Sequence, residues 1–158
     1  MEITLKNLKV AKFMSQDTLC YQATIYVDGK KAGTVENEGH GGCSNVHLNP
    51  EFRHLNDQKF PLPCGCLEMP EMGDKCVICK GTGIWNHSFD EYCNHLAYEL
   101  NNAKERTKLL NKYRKQGFKF VVDFNGGFVA VNAVDEKSAR TLIQRKYPTY
   151  TITAIITL

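Results

Sequence analysis

No apolar run in the chain approaches the roughly 18 residues that a membrane-spanning helix requires. The first ten residues, MEITLKNLKV, also lack the basic, apolar and small-residue regions of a secretory signal. A soluble protein of the cytoplasm, with no membrane partner, is the expectation. Charge of one sign is scarce as well: 20 basic against 17 acidic residues leave a net charge of +3, too little to dictate a nucleic-acid partner. Internal repeats, low-complexity segments and an interdomain linker are missing too. The 158 residues, 42% of them hydrophobic, therefore read as a single α+β domain, 1–158, carrying an insertion at 61–83.

What the chain does have is cysteine. Seven is an odd number, and a reducing cytoplasm keeps thiols unpaired, so a disulfide framework is the weaker reading and metal the stronger. Four of the seven, Cys64, Cys66, Cys76 and Cys79, fall in the insertion PLPCGCLEMPEMGDKCVICKGTG. They form two close pairs, and two paired turns can bring to one point the four soft thiolates that tetrahedral Zn2+ takes. In the second pair a tight Cys-x-x-Cys turn aims both sulfurs at one ion. Gly81 and Gly83 can then adopt positive φ and bring backbone N–H groups near the thiolates. The first pair, with its one-residue spacer, is a tighter chelate, and Cys43, His47 or His54 is an alternative to one of its members. Pro61, Pro63 and Pro70 stiffen the loop and oppose helix. Its shortage of large apolar residues leaves metal as the agent that orders it. Between the pairs, Leu67, Met69 and Met72 stand beside acidic Glu68, Glu71 and Asp74. They offer either a contact surface for a partner or packing against the helix that follows.

Two resemblances add to this. Residues 76–83, Cys-x-x-Cys-x-Gly-x-Gly, resemble one repeat of the zinc-binding region of DnaJ co-chaperones, which implies zinc and no chaperone role. The stretch CYQATIYVDGKKAGTVENEGHGGC, ending in Asn37, Glu38, Gly39, His40, Gly41, Gly42 and Cys43, is similar to small proteins encoded by phages and prophages. In those, a strand pair leads into an Asn-(Asp/Glu)-Gly-His-Gly-Gly-Cys loop. This likeness implies a mobile-element setting. There, a zinc-stapled domain would serve as an accessory or anti-defence factor that inhibits a host protein or ribonucleoprotein complex.

The scaffold reads from periodicity. Ile3, Leu5, Leu8 and Val10 make one strand with a change of phase; Leu19, Tyr21, Ala23, Ile25 and Val27 alternate as a second. Asp28-Gly29 suits a type I′ turn into a third strand ending near Val35. After the cysteine loop, Ser88 and Glu91 make a capping box. It opens a long helix with Phe89, Tyr92, Leu96, Leu100 and Ala103 on one face, stopped by Gly117. Alternation from Phe118 to Phe124, an NGG turn and a return to Ala133 make a hairpin. Asp135 caps a shorter helix with Ala139, Leu142, Ile143 and Tyr147 on one face, closed by Pro148, and TYTITAIITL is the last strand. The order βββ, zinc loop, α, ββ, α, β predicts α+β, with helices on one face of a largely antiparallel sheet.

Three further features bear on chemistry. His40, Cys43 and His47 have the spacing of a second metal site or of a cysteine nucleophile with a histidine base; the alternative is a glycine turn with Cys43 in packing. Lys104, Arg106, Lys108, Lys112, Arg114 and Lys115 form a basic half-helix that could follow a phosphate backbone with Tyr113 stacking on a base. The alternative is a solvated face whose cations suit the carboxyl end of the helix dipole. His87, Cys93 and His95 read as helix packing and surface. The leading reading is a non-enzymatic, zinc-stabilised binding protein acting through protein contacts. A nucleic-acid-binding zinc protein comes next, and an enzyme built on Cys43 and His40 third.

Overall fold

The computed structural model describes residues 1–64, 66, 76–124 and 127–158. They form an α+β fold whose strands pair antiparallel throughout, in three sheets. The chain divides into two compact units, Met1–Asn101 and Asn102–Leu158.

The first unit opens with β1 (Ile3–Val10), β2 (Tyr21–Val27), β3 (Lys30–Asn37) and β4 (Asn45–Leu48), adjacent in that order. The phase change in β1 is a bulge between Lys6 and Lys9, where Asn7 takes φ 56°; the extra residue lets Ile3 and Leu5 face inward and still leaves the later residues paired. Asp28 and Gly29, at φ 46° and 79°, make the tight turn between β2 and β3 that their residue types favour. The sequence pattern anticipates three strands here, and the sheet has four. β4 is short, with polar Asn45 and His47 between Val46 and Leu48, so its alternation was too brief to stand out.

A short 3-10 segment, Pro50–Asp57, buries Leu55 and leads to β5 (Phe60–Pro63), which pairs with β6 (Ile84–His87). The insertion is thus carried on a hairpin stem. Helix α1 (Phe89–Lys115) follows, and its capping box is made: the Ser88 N–H donates to Glu91 Oε2 at 2.9 Å. The face expected to be apolar is rotated. Phe89, Cys93 and Ala97 are the buried residues, Tyr92, Leu96 and Leu100 flank them, and Ala103 is exposed. Small Cys93 and Ala97 at four-residue spacing let the helix join the core formed by Ile25, Val35 and Leu55. Phe60 stacks on Tyr92 at 4.9 Å and meets Phe89 at 5.2 Å, which fastens the hairpin stem to the helix.

The second unit holds β7 (Phe120–Phe124), β8 (Gly127–Val131), α2 (Glu136–Lys146) and β9 (Ile152–Thr157), in sheet order β8-β7-β9. Residues 125 and 126 of the NGG turn lie outside the described residues. Asp135 caps α2, accepting from the Ser138 N–H at 2.7 Å. Ala139 and Ile143 pack on Phe120 and Val122, and Tyr147 stacks on Phe124. Leu142, expected on this face, is half exposed because it lies one position to the side of the narrow Ala139, Ile143, Tyr147 stripe.

Gly33 shows how tightly β3 and β4 are joined: it pairs with Leu48, and a Cβ there would collide with the His47 carbonyl. Gly33→Ala is expected to lower unfolding stability by about 1–3 kcal/mol. Denaturant titration checks it, and an unchanged midpoint would show that β4 yields freely.

Candidate metal centre

The site is built from the hairpin stem outward. β5 and β6 run in register from Phe60 opposite His87 to Pro63 opposite Ile84. Prolines at 61 and 63 are tolerated because a two-stranded ribbon leaves one edge of each strand unpaired. Cys64 continues the stem, its N–H donating to the Gly83 carbonyl at 2.8 Å. On the other arm the chain winds around Cys79. The Lys80 N–H donates to the Cys76 carbonyl at 2.8 Å, and the Thr82 N–H and hydroxyl donate to the Cys79 carbonyl at 3.0 and 2.7 Å. Lys80, Gly81 and Gly83 all take left-handed φ, at 51°, 81° and 71°. The two glycines do so without a Cβ clash, which is why the turn closes this sharply.

The result is a convergence of four sulfurs. Cys64 Sγ lies 3.8 Å from Cys76 Sγ, Cys66 Sγ lies 3.3 Å from Cys79 Sγ, and all four lie within 4.8 Å of one another. Four sulfurs each about 2.3 Å from a tetrahedral ion stand about 3.8 Å apart, so the cluster has the dimensions of a metal centre. All four are buried. The surroundings of Cys76 and Cys79 favour the charge that ligation needs. The N–H groups of Cys79 and Ile78 lower the Cys76 thiol. Burial pushes the Cys79 thiol up, but Cys66 and the Gly83, Cys76 and Gly81 donors outweigh it and bring it down to about 6. Cys66 is pushed up, foremost by its hydrogen bond with Cys79. The backbone donors play the outer-shell part expected of Gly81 and Gly83. Among the described residues the group that converges is the four loop cysteines, without Cys43, His47 or His54; His54 Nδ1 sits 3.1 Å from the Glu51 carbonyl.

The other candidates are not assembled in the same way. Leu67, Met69 and Met72 lie outside the described residues. His40, Cys43 and His47 do not gather into a metal-holding group among the described residues. His40 is 3.2 Å from Gln16 Oε1, and His47 pairs with Thr34 along β4. The glycine loop between β3 and β4 is pinned instead by buried Asn37. Its Oδ1 accepts from the Thr18 hydroxyl at 2.8 Å and the Gly39 N–H at 2.9 Å, and its Nδ2 donates to Ser44 Oγ at 3.3 Å. Cys43 sits exposed at the end of this loop, and the negative charge of Asp90, with a hydrogen bond to it, raises its thiol. That is the reverse of what activates a cysteine nucleophile. Cys93 is wholly buried, which pushes its thiol up to about 12.

The basic half-helix is partly engaged. Arg106 pairs with Asp123 at 3.0 Å and lies over the Phe128 ring, Lys108 pairs with Glu105, and Arg114 donates to Asn111. Tyr113 meets Phe118 in a T-shaped contact, ring centres 5.7 Å apart. Lys104 is exposed, and Lys112 and Lys115 border a shallow hollow with Lys108.

Periodicity missed a set of exposed apolar residues. Val77 is 84% exposed, Ile78 and Ile84 each 53%, and Trp85 41%, all on the hairpin that carries the four clustered cysteines. The signal was present in CVIC: two large apolar residues enclosed by ligands that turn inward have no core to reach. Among the described residues no helix is long and apolar enough to cross a membrane. Comparison with family models, with curated proteins and with solved structures finds no significant match to the chain.

Two outcomes follow from this geometry. Cys76→Ser and Cys79→Ser proteins are expected to lose bound metal and to become protease-sensitive across residues 61–87, while the four-stranded sheet resists as in the wild type. Equal cleavage of mutant and wild type would contradict it. For Cys43, removing the neighbouring carboxylate lowers the thiol and increases the thiolate fraction. Asp90→Asn should therefore alkylate faster at Cys43 near neutral pH, read by peptide-level mass spectrometry; a slower or equal rate is the contrary result.

Proposed function

We propose that the chain is a non-enzymatic binding protein, stapled by one Zn2+ on Cys64, Cys66, Cys76 and Cys79, that acts through protein contacts. The observation that carries this reading is the placement of Val77, Ile78, Ile84 and Trp85. The hairpin holds these four apolar side chains in solvent while burying four sulfurs. Large apolar side chains exposed on a conformationally restrained hairpin lose little entropy on association and suit contact with a partner. Zinc is favoured over other ions because four thiolates in a closed, buried set suit a structural tetrahedral site without an open position. Iron is the other occupant that such a set accepts.

The mobile-element setting, and with it inhibition of a host protein or ribonucleoprotein complex in the cytoplasm, rests on the resemblance of the loop from Asn37 to Cys43. A second reading, contact with nucleic acid, is favoured by one feature, the hollow bordered by Lys108, Lys112 and Lys115 with Asn111 and Gln116. Engagement of Arg106 and Tyr113 within the fold weighs against it. An enzyme using Cys43 is disfavoured by the carboxylate beside that thiol.

Purified without chelator, the protein is expected to carry about one zinc per chain and to be colourless. Elemental analysis showing iron or no transition metal would overturn the zinc assignment. Affinity capture from a bacterial lysate treated with nuclease should retain a protein partner, and the Val77→Ser/Ile78→Ser protein should lose it at unchanged zinc content. A partner that vanishes with nuclease alone would favour nucleic acid.

A further inference from the structure

Beside the sulfur cluster, a groove of about 430 Å³ runs between the β5–β6 hairpin and the first turns of α1. Its walls are rich in rings: Pro63, Trp85, His87, His95 and Tyr98. Trp85 and His87 lie 4.3 Å apart, and the Tyr98 hydroxyl accepts the Leu19 N–H at 2.8 Å, which holds that ring in place. Trp85 nevertheless keeps 41% of its surface in solvent. Asn94 also lines the groove, and its Oδ1 is buried with no hydrogen-bond partner. A buried acceptor without a donor is destabilising, and an N–H of a ligand toward which the Asn94 side chain turns would relieve it.

The charges discriminate among occupants. Glu91 is the carboxylate of the lining, and its hydrogen bonds from the Ser88 N–H keep it ionised. Among the described residues no lysine or arginine lines the groove, so nothing there would neutralise a phosphate backbone. A polyproline II segment meets each condition. Its pyrrolidine rings lie against aromatic faces, the N–H groups of its non-proline residues are free to donate, and its stiffness lowers the entropy lost on docking.

We propose that this groove binds an extended, proline-rich segment of a partner protein, with a basic side chain of that segment placed against Glu91. The proposal deepens the protein-contact reading and rests on it.

Trp85 is the chain's one tryptophan, so its emission reports on the groove directly. The full-length, metal-loaded protein is titrated with the synthetic peptide Arg-Pro-Leu-Pro-Pro-Leu-Pro, with a control in which alanine replaces every proline, and with oligouridylate. The expected result is a saturable emission change with the proline peptide alone. Asn94→Leu and His95→Ala should each weaken affinity about tenfold, or about 1.4 kcal/mol, at unchanged zinc content and melting temperature. Calorimetry with the same peptide guards against variants that merely alter emission. No saturable change, an equal response to the proline-free control, or insensitivity to both variants overturns the proposal. A response to oligouridylate that the variants abolish assigns the groove to nucleic acid and overturns it as well. A chain that captures a protein partner through Val77 and Ile78 yet ignores the peptide overturns the groove assignment alone. One that captures no protein removes the reading beneath it.

Discussion

Four sulfurs buried within 4.8 Å of one another set the terms for the whole hairpin. As thiols they would be poor hydrogen-bond partners crowded into a space without apolar support. As thiolates they would repel one another at close range and low dielectric. A divalent cation resolves both difficulties, because it takes the place of the protons and turns the repulsion into four attractions. The backbone around the cluster is arranged for that state: N–H groups from Ile78, Cys79, Gly81 and Gly83 point at the sulfurs of Cys76 and Cys79. Left-handed conformations at Lys80, Gly81 and Gly83 exist to aim them, and the stem of β5 and β6 exists to hold the two arms level.

From that constraint comes the division of labour within the first unit. The four-stranded sheet, the Leu55 segment and the first turns of α1 share one apolar core, which needs no ion. Among the described residues the hairpin contributes to that core through Phe60, by its contacts with Phe89 and Tyr92. Val77, Ile78, Ile84 and Trp85 are left to solvent. A structure organised this way separates what folds the protein from what it displays. The glycine loop after β3 belongs on the folding side: Asn37 fastens it to Thr18, Gly39 and Ser44 as a joint between strands.

Much of this was legible in the residues. Alternation exposed β1, β2, β3 and the last sheet; Ser88, Glu91 and Asp135 announced both helix starts; and the two cysteine pairs announced the centre with all four of its members. The parts that stayed hidden share a cause. β4, β5 and β6 are four residues long, β5 carries two prolines and half the side chains of β4 and of β6 are polar, and such brief segments take their conformation from their neighbours. The buried stripe of α1 escaped because Cys93 and Ala97 are small: a helix that packs closely uses residues that hydropathy undervalues. Exposure of Val77, Ile78, Ile84 and Trp85 could not be read from periodicity, since it follows from which way the sulfurs turn.

The bulge in β1 carries a consequence of another kind. β1 is an outer strand, and an outer strand offers a row of backbone donors and acceptors on which a second chain can grow by pairing. With Asn7 turned left-handed and the register shifted between Lys6 and Lys9, that row is broken at mid-strand and flanked by exposed ammonium groups. The irregularity that corrects the inward face of β1 therefore also denies its outer edge to stray strands, and a molecule with a greasy tip at one place is guarded against sticking at another.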